Sequence, residues 1–355
     1  MSTKPITHVA TTDITEMMKP GEGRRMDLPG FDAEFVDFPH YIVRITERIW
    51  HDRDVEKCLD WYAEDCAIHT MAGDIVGAQT VVQNTWATLK AFPDRRLDAD
   101  NVIWSDEGDD AFYSSHLITS KMTNEGPSEF GPVTGKQIRV QTIAECLCKD
   151  NRVIEEWLVR DNLAAVQQLG FDPDRVAREQ AQADKVNSFS LIDFHAANRE
   201  AVLAGDSVST DQSDAVGIAA NALRASFATP DLDRLRDVYD FRVQAHYPGD
   251  VSLYGPDQVQ SWCAGLRKAF PDLTVSIDHV ADIPYLGTAR DVSLRWAATG
   301  THGGAGRYGP PSNAPIYILG VTHFRVMNGR VREQITIWDD IALRRQIASA
   351  RYQGG

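Results

Sequence analysis

The chain is written twice. Tyr62, His69, Gly77, the run Ala91 to Asp94 (Ala-Phe-Pro-Asp), Gly131-Pro132, Arg152-Val153 and Asp161 return in order as Tyr239, His246, Gly255, Ala269 to Asp272, Gly309-Pro310, Arg330-Val331 and Asp339. Tyr239 follows Tyr62 by 177 residues and Asp339 follows Asp161 by 178, so a single insertion separates the two registers. Spacing held this closely implies two copies of one domain. The 355 residues exceed what one core usually serves, which agrees with that partition.

Within each copy the hydrophobic period changes once. Residues 42–50, 53–62 and 80–92 place apolar side chains at helical spacing, and Pro93 stops the third run. Residues 112–120, 137–148 and 153–159 then alternate as long strands; copy two repeats them over 291–299, 316–327 and 331–338, the last pair joined by the hairpin dipeptide Asn328-Gly329. Helices followed by a strand meander predict an α+β fold: two tandem cone-shaped domains, each with helices packed on a curved, mostly antiparallel sheet. The expected boundaries are an N-terminal arm over 1–35, polar and without period, domain 1 over 36–170, a helical connector and linker over 171–215, and domain 2 over 216–355.

Charge and composition narrow the function. A net charge of −15 argues against nucleic acid and for a small-molecule substrate. No apolar run of bilayer length and no leader-like segment is present, so no membrane association and a cytoplasmic location are expected. The five cysteines do not recur between copies, which argues against a disulfide framework; without a second pair or a histidine at ligand spacing, no metal is expected at Cys146 and Cys148.

Asp161 and Asp339 are the leading candidates for chemistry. Alternation puts Val331, Ile335 and Ile337 on one face of the last strand with Asp339 in phase, and Val153, Trp157 and Val159 with Asp161 in copy one. A carboxylate facing an apolar interior is pushed toward neutrality, which suits a general acid or base. The competing reading is a helix cap, since each aspartate precedes a helical run. His69 and His246 recur after the second helix and are candidate donors to a substrate carbonyl. Trp50, Tyr62, His116, Trp157 and His323 are candidate substrate contacts; His116 and His323 are unmatched between copies, so the two interiors differ chemically.

Phe130 to Gly135 (Phe-Gly-Pro-Val-Thr-Gly), Asn151 to Trp157, Asp161, Gln168 to Gly170 and Phe92 to Asp94 together resemble the SnoaL-like polyketide cyclase family, within the nuclear transport factor 2-like superfamily of α+β cones. Copy two keeps Tyr308 to Pro310, Asn328 to Val331, Asp339 and Gln346, and departs at Ser312-Asn313 and Ile347-Ala348. The resemblance implies a cofactor-independent lyase or isomerase acting on a small carbonyl compound by aldol cyclisation, isomerisation or dehydration. It further implies that Asp161, and by repetition Asp339, move a proton alpha to the carbonyl. It also suggests an intrachain pseudo-dimer, with further self-association open. A non-enzymatic ligand-binding or scaffold protein of the same fold is the alternative.

Overall fold

A computed structural model describes residues 9–18, 23–210, 214–227 and 231–353. Two six-stranded sheets are present. The first holds β1 (Tyr62–His69), β2 (Ile75–Val76), β3 (Arg96–Gly108), β4 (Ala111–Thr123), β5 (Gln137–Lys149) and β6 (Arg152–Arg160) in the order β2-β1-β6-β5-β4-β3. The second repeats it as β8-β7-β12-β11-β10-β9, built from β7 (Tyr239–Tyr247), β8 (Val251–Tyr254), β9 (Thr274–Pro284), β10 (Arg290–Thr301), β11 (Pro315–Met327) and β12 (Arg330–Trp338). β1 runs parallel to β6, and β7 to β12. The β5–β6 and β11–β12 turns carry positive φ at both central residues, Asp150 and Asn151 in one and Asn328 and Gly329 in the other, as the type I′ hairpin requires.

Many of the residues that return in both copies hold this frame. Gly77 and Gly255 each precede the helix leaving the short strand with φ of 88° and 78°, and a Cβ on Gly77 would stand 2.7 Å from the Glu64 carbonyl oxygen. Asp94 accepts from the Thr123 amide and hydroxyl, and Asp272 accepts from the Thr301 amide at 2.7 Å. These carboxylates tie the end of a helix to the end of a strand.

The chain divides into two compact units, Met1–Thr70 with Asp74–Arg160 and Ala281–Tyr285, and Met71–Gly73 with Asp161–Val280 and Leu286–Gly355. Apart from Ala281–Tyr285, the first unit ends at Arg160. The Asn162–Leu169 helix belongs to the second unit because its own polar groups bond there: Asn162 Nδ2 donates to Asp339 Oδ2 at 2.6 Å. The expected connector is helical over Pro173–Val186, Leu191–Phe194 and Ala196–Ala204, and Arg345 forks onto Asp184 of its first helix. The linker part of that stretch is pinned as far as Thr210, since Asp206 accepts from the Ile277 amide and Arg224 reaches both Asp206 and Thr210; 211–213 lie outside the described residues.

In the first unit the Phe38–Trp50 helix starts on Asp37, which accepts from the His40 amide, with Pro39 in the first turn. Its Ile42, Ile45 and Ile49, with Val82 and Leu89 of the Ala78–Ala91 helix, pack against Val102, Phe112 and Cys148 of the sheet. The segment expected as a free arm joins this core. Leu28, Phe31 and Phe35 are buried, and the Phe31 ring meets Tyr41 at 4.9 Å and Phe112 at 5.8 Å, both edge-on. Three such side chains contribute about 1.5–3 kcal/mol each, enough to override the polar composition around them. All five cysteines are free thiols in the core, and no helix among the described residues is long and apolar enough to cross a membrane.

Candidate functional site

Strand register decides which side chains meet the helices. In the first sheet Glu156 pairs with Cys146, which pairs with Ser114, which pairs with Trp104. The next rows along the same face run Leu158, Ala144, His116, Val102 and Arg160, Thr142, Ile118. This is the helix-covered face, because Cys146, Leu158, Val102 and Trp104 share the core cluster with the helices. Two strand spacings separate Glu156 from Ser114, about 10 Å, the width of a small molecule.

Glu156 is 5 % exposed, and the Tyr62 hydroxyl lies near enough to its carboxylate to favour the ionised form. Burial pushes its pKa up to about 7, against the opposing pull of Arg160 and of the nearby Tyr62 hydroxyl. His116, buried opposite, is pushed down to about 3 by burial alone and is therefore a neutral imidazole at physiological pH. Around these two groups the wall is lined by polar atoms with no hydrogen-bond partner: His116 Nε2, Ser114 Oγ, Trp104 Nε1, Thr142 Oγ1 and the Nε atoms of Arg95 and Arg160. Each such atom costs on the order of 1–3 kcal/mol when buried unpaired. Six on one concave face mark a surface shaped to bond something the fold itself does not supply.

The second unit has the same frame with a different filling. Strand by strand, Glu156 becomes Gln334, Arg160 becomes Trp338, Ser114 becomes Val292, His116 becomes Leu294, Thr142 becomes Gly320 and Arg95 becomes Leu273. Gln334 accepts from the Tyr239 hydroxyl and donates to Tyr247 and Thr336, Thr336 meets Thr322 at 3.1 Å, and Trp296 donates to Thr322 at 3.0 Å. Phe227, Trp296, Trp338, Tyr247 and Trp262 stack through the remainder, with ring centroids between 4.0 and 6.5 Å. This interior is closed on itself, Trp338 Nε1 excepted.

The face assignment made from alternation is inverted. The polar side of β6 and β12, with Glu156 and Gln334, faces the core, whereas Trp157, Val159 and Asp161 lie on the opposite side of the sheet with Ile335 and Ile337. Both aspartates are helix caps. Asp161 accepts from the Ala164 amide at 3.0 Å and from Gly249 and Asp250, so both carboxylate oxygens are occupied. Burial raises it to about 6, and those same amides pull the other way. Asp339 accepts from the Ile341 and Ala342 amides at 3.0 Å and from Asn162. The cap alternative accounts for both.

His69 also lies off the concave face: its ring bridges Asp74 at 3.2 Å and Glu155 at 3.0 Å and stacks on Trp157 at 5.5 Å. His246 meets Ser252 Oγ at 2.9 Å, again away from the aromatic interior. His323 pairs with Ile335 and Ser293 on the outer face of the second sheet. Of the candidates, Tyr62 lies beside Glu156, His116 sits on the same sheet face one row along, and Trp50 lies beneath the Arg95 guanidinium, 4.5 Å away. Glu156, Arg95, Arg160, Ser114, Thr142 and the role of Trp104 were not singled out from sequence. The signal was present at the fixed offset, where a set of polar residues in copy one faces apolar or neutral partners in copy two. Among the described residues no cluster of three or more His, Cys, Asp or Glu is placed to hold a metal ion.

Comparison with known proteins agrees with the two-copy reading. The profile of the SnoaL-like polyketide cyclases matches residues 40–169 and again 217–347. No curated protein matches the sequence. Similar solved structures include a putative SnoaL-like polyketide cyclase from Jannaschia sp. CCS1, 22% identical, covering 41% of this chain and 99% of that one with a TM-score of 0.34. IdmH, a putative polyketide cyclase from Streptomyces antibioticus, is 22% identical over 37% of this chain and 96% of its own, TM-score 0.31. A putative polyketide cyclase from Acidithiobacillus ferrooxidans is 21% identical over 40% and 99%, TM-score 0.35. With both copies matched, the chain belongs to the SnoaL-like polyketide cyclase family.

Proposed function

We propose that the first unit is a cofactor-independent acid–base catalyst acting on a small carbonyl compound, with Glu156 as the group that carries the proton. The observation behind this reading is one buried carboxyl, pushed up to about 7, facing a wall of unpaired polar atoms. Near neutral pH such a group is available in both protonation states, so it can remove a proton alpha to a carbonyl and return it elsewhere on the same substrate. The Tyr62 hydroxyl lies beside the carboxyl and favours its ionised form. Trp104 Nε1–H can only donate, and neutral His116 and Ser114 can donate as well; together they offer hydrogen bonds to an enolate oxygen in a site with little water.

Proton exchange tests this directly. The full-length protein is incubated in D2O with a panel of small aliphatic and aromatic ketones, and loss of α-proton signal is followed by NMR. The expected result is exchange by wild type that falls at least about 100-fold in Glu156→Gln, the scale of a lost general base. Asp161→Asn keeps an acceptor for the helix but turns an amide donor against the Gly249 and Asp250 amides, so it loses about 1–3 kcal/mol of stability while exchange per folded molecule persists. No exchange by wild type, or exchange undiminished in Glu156→Gln, would refute the assignment.

A further inference from the structure

Two arginines lie on the Glu156 side of the first unit with no ion pair to a carboxylate, although Arg160 is near enough to Glu156 for its charge to be felt there. Arg95 is 6 % exposed, donates from Nη2 to Ser120 Oγ at 3.3 Å, lies over the Trp50 ring, and leaves Nε unpaired. Arg160 projects from the end of β6 on the same face, beside Thr142, and its Nε is unpaired too. Neither forms an ion pair among the described residues. Ser120 lies two residues beyond Ile118, which shares the cross-strand row of Thr142 and Arg160. Arg95 is thus anchored to a strand position about 12 Å from the Arg160 backbone, and the Arg160 charge acts on it, so the two guanidinium groups lie near one another. Thr142, paired with Arg160 across β5 and β6, adds an unpaired hydroxyl on the same face.

Two like charges brought together in a buried place repel, and each has lost hydration. Arg95 feels both, since burial first and Arg160 second bring it down to about 9. The Glu129 carboxylate pulls the other way, more weakly than either. The chain as a whole carries −15, so the pair is not part of a general basic surface. In the second unit the matching positions are Leu273 and Trp338, which fill the space instead.

We infer that Arg95, Arg160 and Thr142 form a subsite for a carboxylate, and that the substrate of the first unit is a small organic acid whose reacting carbonyl lies deeper, toward Glu156. A planar carboxylate matches the guanidinium fork and uses the N–H groups now without acceptors. Trp50 beneath Arg95 and the unpaired Trp104 favour an acid that carries a ring or an unsaturated chain. The inference deepens the acid–base reading by naming the substrate class of that same site.

Calorimetry on the full-length protein with benzoate and benzamide as probes decides it. Benzoate is expected to bind at least about tenfold more tightly than benzamide, and Arg95→Gln and Arg160→Gln each to weaken benzoate about 10- to 100-fold, the scale of a charge-assisted hydrogen bond. Arg160→Gln changes a partly exposed side chain and guards against a folding defect at Arg95, with melting curves checking both. Equal binding of the two probes, no binding of benzoate by wild type, or unchanged benzoate affinity in both folded variants overturns the subsite. Because binding is read without turnover, failure of Glu156 as proton carrier leaves benzoate binding intact in Glu156→Gln. Failure of the subsite leaves exchange on neutral ketones intact.

Discussion

Glu156 and Gln334 stand at one position in two copies of one fold and differ by a single ionisable group. Gln334 shows that an amide fits there with every polar atom bonded. For Glu156 the folded pKa of about 7 lies above the ordinary 4.5, so the folded state holds the proton more tightly. The stabilisation from that proton is complete below pH 4.5, is lost as pH rises to about 7, and leaves an ionised buried carboxylate above it. Glu156→Gln is therefore expected to melt like wild type at pH 4 and several degrees higher at pH 8, a gain on the order of 1–3 kcal/mol. A melting difference independent of pH would contradict the assignment. At this scale the sequence misled for a physical reason: a filter for identical residues retains caps and tethers such as Asp161, Asp339 and Asp94, which every copy of the fold needs. It discards His116, Glu156 and Arg160, where the copies have diverged in chemistry.

For the elements, alternation told strand from helix but not inside from outside. In β12 the face with Ile335 and Ile337 reads as interior because it is apolar, yet β12 is followed on its other face by Gln334, Thr336 and Trp338, the residues inside the cone. Irregular pairing near the hairpin, between Leu147 and Cys148 and between Arg325 and Val326, further shifts the phase of Val153 and Val331. The filling of the second cone depends on one small residue. A Cβ on Gly320 would stand 2.2 Å from the Trp296 ring, and the matching residue in the first sheet is Thr142, whose hydroxyl faces the site. Gly320→Ala should destabilise the protein by about 1–3 kcal/mol or more through overpacking, read as a drop in the calorimetric melting temperature. Unchanged melting would mean that the indole has room to move and that this cone is less tightly filled than its contacts indicate.

Across the whole molecule, two domains of one fold carry two kinds of interior. The first is lined by unpaired polar atoms, and the second is closed by its own hydrogen bonds and aromatic rings. One ligand per chain is therefore expected, measurable as a calorimetric stoichiometry near one with benzoate; a value near two would show that the second interior opens. By itself the sequence determined the duplication, the α+β class, the order of helices and strands and the family. Those follow from periodicity, turn residues and fixed spacing, which are local properties of the chain. Only the tertiary structure decided which face of each strand is inside, that the repeated aspartates are occupied by backbone amides, and that Arg95, Arg160, Thr142, His116 and Glu156 share one side of the first sheet. Each of these depends on strand pairing and on which hydrogen bonds remain unmade after packing, and both are relations between residues far apart in the chain.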